Sequence, residues 1–216
     1  MVEGANEHNG NLQPRGKRTF LGDTEARIPA NTLAKAYFTR HAQLLKDLEA
    51  DRTQADISRA ADVVVSYLAA GKQVGVASCT HVLLSDIFRY NRTPIKPINI
   101  VHRLGAVKES LKPGDLLIFV SYIGVSTPYE DYYGAIKEAD VRLISSHVHD
   151  TVNASNNASE SLVHIPQHWD RPDAEVTVPF PPGYMSPVSG LNQGLIFRML
   201  EAEVADRLAA APKAAK

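Results

Sequence analysis

Lys112-Pro113-Gly114-Asp115-Leu116-Leu117-Ile118-Phe119-Val120-Ser121 reads as a tight turn that runs straight into an unbroken apolar segment and stops on a hydroxyl. Proline and glycine in succession mark the turn. A run that is apolar at every position, with no alternation, suits a strand covered on both faces, as in the middle of a parallel sheet. Upstream, Gln73 to Ser78 is a β-branched run followed by a helical stretch from Thr80 to Tyr90, and Ile95 to Val101 reads as another strand. Downstream, a helix is expected over Thr127 to Ala139, a strand over Val141 to Ser146 and a fifth strand over Ser161 to Ile165. Strand and helix alternate, which predicts an α/β fold with a parallel sheet between helices.

Two helices precede this unit. Asn31 to Ala50, capped by Asn31, carries an apolar stripe of Leu33, Tyr37, His41, Leu44, Leu45 and Leu48, and Thr53 to Ala70 carries one of Ile57, Ala60, Ala61, Val64, Val65 and Leu68, with Gly71 as its stop. Gln167 to Pro187 is rich in proline and reads as a loop, in which Trp169, Tyr184 and Met185 suit either a lid or a subunit contact. A last helix is expected from Ser189 to Leu208. The division is a mobile N-terminal tail or arm over 1–29, one α/β domain over 30–208 and a frayed tail over 209–216.

Composition narrows the function. Apolar residues make up 44% and charged residues 22% of the 216 residues, an ordinary globular balance. The net charge is −1 and the basic residues are scattered, so no basic stripe for nucleic acid is present. The single cysteine, Cys79, excludes an internal disulfide and a cysteine-rich zinc site. Neither a secretory signal nor a stretch long enough for a membrane span is visible, and the expectation is a cytoplasmic protein with no membrane partner.

Parallel sheets bind ligands beyond the carboxyl ends of their strands, which directs attention to the turns after Ser78, Ser121 and Ser146. In the first, Ser78 and Thr80 either cap a helix or donate to a ligand at its N-terminus, with His81 in the first helical turn. In the second, Ser121, Gly124, Ser126 and Thr127 precede Pro128; capping accounts for Thr127 and Pro128, whereas Ser121, Gly124 and Ser126 together suit a ligand approached by backbone. In the third, His147, His149 and Asp150 alternate, a pattern short of a full ligand set, so no metal is expected.

The turn and strand Lys112 to Ser121, the Gly124-Val125-Ser126 segment and the following Glu130 resemble the central phosphosugar-binding segment of sugar-isomerase (SIS) domains, most of all the SIS group related to phosphoheptose isomerases. Val74 to Ala77 with Ser78 and a nearby His, the position of His149, and Ser186-Pro187-Val188-Ser189 before a long helix are similar to the same family, over about Ala30 to Leu208. The resemblance implies a three-layer sandwich with a five-stranded parallel sheet, and N-terminal helices that make a homodimer or homotetramer. It also implies a sugar or sugar-phosphate ligand held by Ser78, Thr80, Ser121, Gly124, Ser126, Thr127 and Ser189.

Aldose–ketose isomerisation passes through an enediol and needs a base beside a carbonyl and an acid at its oxygen. Glu130, His81 and His149 are the candidates for these roles, with Glu201 on the last helix a further one; Glu130 also suits simple complementation of its helix dipole. The alternative is a non-catalytic sugar-binding or regulatory protein. A dinucleotide-dependent oxidoreductase ranks below both, since Ser78-Cys79-Thr80 stands where a glycine-rich turn would be, and no cofactor is expected.

Overall fold

All 6 residues of the strand Leu116–Ser121 (β3) are buried, because helices cover both faces of the sheet it belongs to. The computed structural model describes residues 33–79, 93–98, 100, 105–121, 132–147, 161–168, 174–179, 182–187 and 189–211. In chain order these form α1 (Leu33–Glu49), α2 (Asp51–Ala69), β1 (Val74–Cys79), β2 (Lys96–Ile98), α3 (Ala106–Ser110), β3, α4 (Tyr132–Glu138), β4 (Arg142–His147), β5 (Val163–Pro166), β6 (Ala174–Pro179), β7 (Pro182–Pro187) and α5 (Ser189–Ala210). The main sheet has 5 strands in the order β2-β1-β3-β4-β5, and every neighbouring pair is parallel. This is the three-layer α/β sandwich expected from the alternation of strands and helices.

Side-chain alternation divides the core in two. Val74 and Val76 of β1, Leu116, Ile118 and Val120 of β3, Ile144 of β4, and Val163 and Ile165 of β5 pack under α2 and α5. Ala77, Leu117, Phe119 and Leu143 face the other way, against Val107 of α3 and Ile136 of α4. A Phe, Leu, Ile or Val taken fully out of water contributes about 1.5–3 kcal/mol, which is why an uninterrupted run such as β3 is placed at the centre. On α2 the buried residues Ile57, Ala60, Ala61 and Val64 follow helical spacing. The helix stops where expected: Gly71 takes φ +71, its N–H reaches the Leu68 carbonyl at 3.0 Å and the Lys72 N–H reaches that of Tyr67 at 2.9 Å. Arg207 ties α5 to α2 through Asp62 (2.7 Å) and the Ser58 hydroxyl (2.7 Å).

The Lys-Pro-Gly-Asp turn sits at the amino edge of the sheet, opposite the strand ends that face ligands. Asp115 is buried, and its carboxylate accepts the backbone N–H groups of Lys112 (2.8 Å) and Gln73 (3.1 Å). Its own carbonyl accepts Arg142 N–H at 2.8 Å. Gly114, at φ +76, lets the turn close so that its N–H meets the Asp140 carbonyl at 2.8 Å. The motif therefore pins the entrances of β1, β3 and β4 together.

Two sequence expectations need correction. The segment from Gln167 to Pro187 is not a plain loop: it contains the antiparallel hairpin β6–β7, with Val176 opposite Met185 and Thr177 opposite Tyr184. Its prolines include Pro179, Pro182 and Pro187 at strand ends, where a missing N–H costs little, so proline content concealed the strands. The short helix α3 was also not anticipated. The helix expected over Thr80 to Tyr90, the N-terminal tail and residues 212–216 of the C-terminal tail lie outside the described residues, and α5 continues through Ala210.

Candidate functional site at the carboxyl edge of the sheet

The order of the strands reverses between β1 and β3, and such switch points open a crevice beyond the carboxyl ends of a parallel sheet. Cys79 and Ser121 are register partners on its two sides, and Ser78, Val120 and Ser146 form the row behind them. Ser78 and Ser146 alternate with Val76 and Ile144 and so share the face under α2 and α5, whereas Ser121 alternates with Phe119 on the opposite face. Ser78, Ser121 and Ser146 are all buried.

Three buried amides brace this edge. Gln167, directly after β5, donates from Nε2 to the carbonyls of Ser121 and Ser146, each at 2.9 Å, and to the Ser146 hydroxyl oxygen at 3.2 Å. Gln193, in the second turn of α5, donates from Nε2 to the Ser121 carbonyl and to Gln167 Oε1, both at 3.1 Å. Asn192 donates from Nδ2 to the Gln167 carbonyl. These partners settle which end of each amide is nitrogen, since a reversed Gln193 would set its oxygen against two other oxygens. Asn192 Oδ1 and Gln193 Oε1 are consequently fixed in place, and both are buried with no hydrogen-bond partner. A buried acceptor left in that state costs about 1–3 kcal/mol.

Beside this cluster, on the face of α3 and α4, Ser161 donates to the Ser145 hydroxyl at 2.7 Å, and Ser145 meets His164 Nδ1 at 2.9 Å. The rings of His147 and His164 lie 4.4 Å apart. Among the described residues no three His, Cys, Asp or Glu side chains assemble as a metal-binding group. Among the same residues no helix is long and apolar enough to cross a membrane.

The edge is also tied to the N-terminal helices. His168 takes the left-handed conformation at φ 61 and its Nε2 lies 2.8 Å from the Thr53 hydroxyl. The Thr53 proton is directed to the Asp47 carbonyl at 3.0 Å, so the hydroxyl receives its hydrogen bond from Nε2–H, which fixes the His168 tautomer. Burial holds the His168 pKa below the ordinary imidazole value; Asp47 opposes this, Arg52 adds to it and Asp56 opposes it. His41, buried on α1 and edge-on to Tyr37 at 4.3 Å, is lowered as well, by burial first and by Arg40 second.

No protein-family model and no curated protein sequence matches the chain. Its fold, however, matches solved structures. A phosphoheptose isomerase from Francisella tularensis superposes with a TM-score of 0.60 at 13% identity, covering 83% of this chain and 100% of the other. A phosphoheptose isomerase from Neisseria gonorrhoeae matches with a TM-score of 0.54 at 12% identity, over 82% and 97% of the two chains. The sugar isomerase domain of an RpiR transcription factor from Sphaerobacter thermophilus gives 0.51 at 15% identity, over 82% and 92%. The chain has the SIS fold.

Within this SIS fold the residues expected at the site divide sharply. Ser78 and Ser121 stand at the carboxyl edge, and Ser189 is the first residue of α5, whose opening turns lie against that edge. Thr80, His81, Gly124, Ser126, Thr127, Glu130 and His149 lie outside the described residues. Glu201 does not belong at the edge. It is buried in an ion pair with Arg198, and it lies eight residues beyond Gln193, about 12 Å along the helix axis. Gln167, Asn192 and Gln193 were missed. Their signal was present in part, because Asn192 and Gln193 precede Ile196 and Phe197 at helical spacing, so an amide pair occupies the apolar stripe of α5. Gln167 carried no such signal, since its role depends on strands distant in sequence.

Proposed function

We propose that this chain binds a sugar phosphate at the carboxyl edge of its sheet and interconverts its aldose and ketose forms. The observation that carries the reading is that the carboxyl ends of β1, β3 and β4 stand side by side at the switch point of an SIS fold, with Gln167, Asn192 and Gln193 bracing that edge. The crevice that opens beyond the carboxyl ends at such a switch point suits a small polar ligand. In this reading Ser121, Gly124, Ser126 and Thr127 receive the phosphate through hydroxyl and backbone N–H groups at the head of a helix. Ser78, Thr80 and Ser189 hold the rest of the ligand. Glu130, His81 and His149 are the proposed acid–base groups of the enediol step, in which a proton leaves one carbon and is returned to its neighbour.

The protein is also proposed to work as a homo-oligomer. Phe38 and Leu45 on α1 support this: they are 74% and 48% exposed and lie seven residues apart, on one face of the helix.

Millimolar sugar phosphates are expected to raise the Tm, and Ser121→Ala and Ser126→Ala to remove the effect. Absence of any shift across phosphorylated trioses to heptoses would overturn the reading. A second reading, binding without turnover, is favoured by Tyr122 and Ile123, which stand where SIS phosphate loops carry small polar residues. Incubation with ketose phosphate in deuterium oxide separates the two. Turnover incorporates deuterium at the carbon beside the carbonyl, and mere binding does not.

A further inference from the structure

We propose that His168 is a positioning residue: it latches the junction of α1 and α2 to the carboxyl edge and so sets the aim of Gln167, the side chain that braces the ends of β3 and β4. That the latch also governs ligand affinity rests on the carboxyl edge being a sugar-phosphate site; the link from the junction to Gln167 does not.

His168 has a backbone that residues with a Cβ seldom adopt, at φ 61. Such a conformation persists where the surroundings over-determine it. Asp140, the other non-glycine residue with positive φ among those described, has a local account: it lies in the turn after α4, where its N–H meets the Lys137 carbonyl at 3.1 Å. His168 is held from far along the chain. Its Nε2–H donates to the hydroxyl of Thr53, 115 residues away, at 2.8 Å. Its carbonyl accepts the guanidinium of Arg40, 128 residues away, at 3.4 Å. Arg40 belongs to α1 and Thr53 to α2, and the Thr53 hydroxyl is itself pinned to the Asp47 carbonyl in the last turn of α1 at 3.0 Å. Gln54 closes the same junction by donating to the Leu48 carbonyl at 2.6 Å. His168 therefore takes its position from the relation between the two helices.

Gln167 directly precedes it. β5 ends at Pro166, opposite His147, so Gln167 lies beyond the ladder of hydrogen bonds. Asn192 holds its carbonyl, and the carbonyls of Ser121 and Ser146 hold its side chain. The left-handed turn at His168 fixes the chain on its far side. A shift of the α1–α2 junction carries His168 with it, swings the Gln167 backbone and strains hydrogen bonds whose strength falls steeply with angle and distance. Ser121 and Ser146 then lose their common brace at the points where the chain leaves β3 and β4. The coupling runs both ways, so a ligand that tightens the edge also tightens the junction.

The full chain labelled with nitrogen-15 supplies the test, with the side-chain amide signals of Gln167 assigned by their loss in Gln167→Met. Thr53→Val removes the hydroxyl and keeps the volume, Thr53→Ser keeps the hydroxyl, and His168→Gly keeps access to the left-handed backbone without the imidazole. A simple staple between helix and loop would lower the Tm in Thr53→Val as well, so the Tm does not decide. Thr53→Val and His168→Gly are expected to move the Gln167 signals by more than a linewidth, and Thr53→Ser to leave them in place. Affinity for fructose 6-phosphate or sedoheptulose 7-phosphate, measured by calorimetry, is expected to fall about fivefold or more in Thr53→Val and less than about twofold in Thr53→Ser. If Thr53→Val does not fold, His168→Gly decides by the same two readings. Gln167 signals that stay in place in the folded variants overturn the inference and leave the sugar-phosphate reading standing. Signals that move while affinity holds overturn the control of binding by the latch. Failure of both sugar phosphates to bind the unaltered chain counts against the sugar-phosphate reading alone, and the amide signals still decide the role of His168.

Discussion

The side-chain amide of Gln167 donates to the carbonyl of Ser121 at 2.9 Å, and so joins the chain just beyond β5 to the last residue of β3 across the intervening strand. The same nitrogen holds the Ser146 carbonyl of that intervening strand. One side chain thus fixes the spacing of three strand ends at the edge where the site is proposed. Replacing Gln167 by Met keeps the volume and strips a donor from two buried carbonyls, so a loss of about 2–4 kcal/mol is expected in urea unfolding. The sugar-phosphate Tm shift should disappear in the same variant.

Asp115 acts at the opposite edge. Asp115→Ala leaves the N–H groups of Gln73 and Lys112 without their acceptor and is expected to cost about 1–3 kcal/mol. Asp115→Asn should cost less, because one oxygen remains. Ligand affinity, measured by calorimetry under conditions where both variants are folded, should match that of the unaltered chain. A large loss of affinity would show that the Lys-Pro-Gly-Asp turn does more than join strand entrances.

Gly75 has no room for a side chain. A Cβ there would lie 2.5 Å from Ile98 Cδ1 and 3.1 Å from Leu111 Cδ1. Gly75→Ala is expected to destabilise by about 1–2 kcal/mol through overpacking between β1 and β2. Ile98→Val removes the nearest atom, so the double variant should be more stable than the two single effects predict when added. Strict additivity in a denaturation cycle would mean that the strain is relieved elsewhere.

Stability should fall on mild acidification. The folded protein holds His41 and His168 below the ordinary imidazole pKa, in both cases chiefly by burial. The unfolded chain therefore takes up protons first. The contribution of the neutral rings is complete above about pH 6.5 and is lost as the pH falls through that value toward the lower folded one. Tm should accordingly drop between pH 7.5 and 5. His41→Phe, which keeps a ring against Tyr37 and removes a buried Nε2 without a partner, should drop less. An identical pH profile for the two proteins would exclude His41 as a contributor.

Much of the architecture was legible in order along the chain. The unbroken apolar run of β3 announced a strand covered on both faces, Gly71 marked the end of α2, and the alternation of strands and helices implied a parallel sheet. These features are local, set by periodicity and by the conformations glycine permits, and the sequence by itself determines them. The Lys-Pro-Gly-Asp segment was read as part of a ligand-binding pattern, yet tertiary structure sets it at the amino edge, where Asp115 satisfies backbone donors. The hairpin β6–β7 was concealed because its prolines resemble loop chemistry until their places at strand ends are known. The amide cluster was the least legible of all. Gln167 lies 46 residues from Ser121 and 26 from Gln193, and only the stacking of β3, β4 and β5 under α5 brings them within hydrogen-bond reach. Periodicity marks which residues are buried; which buried polar groups meet is decided when distant strands end side by side.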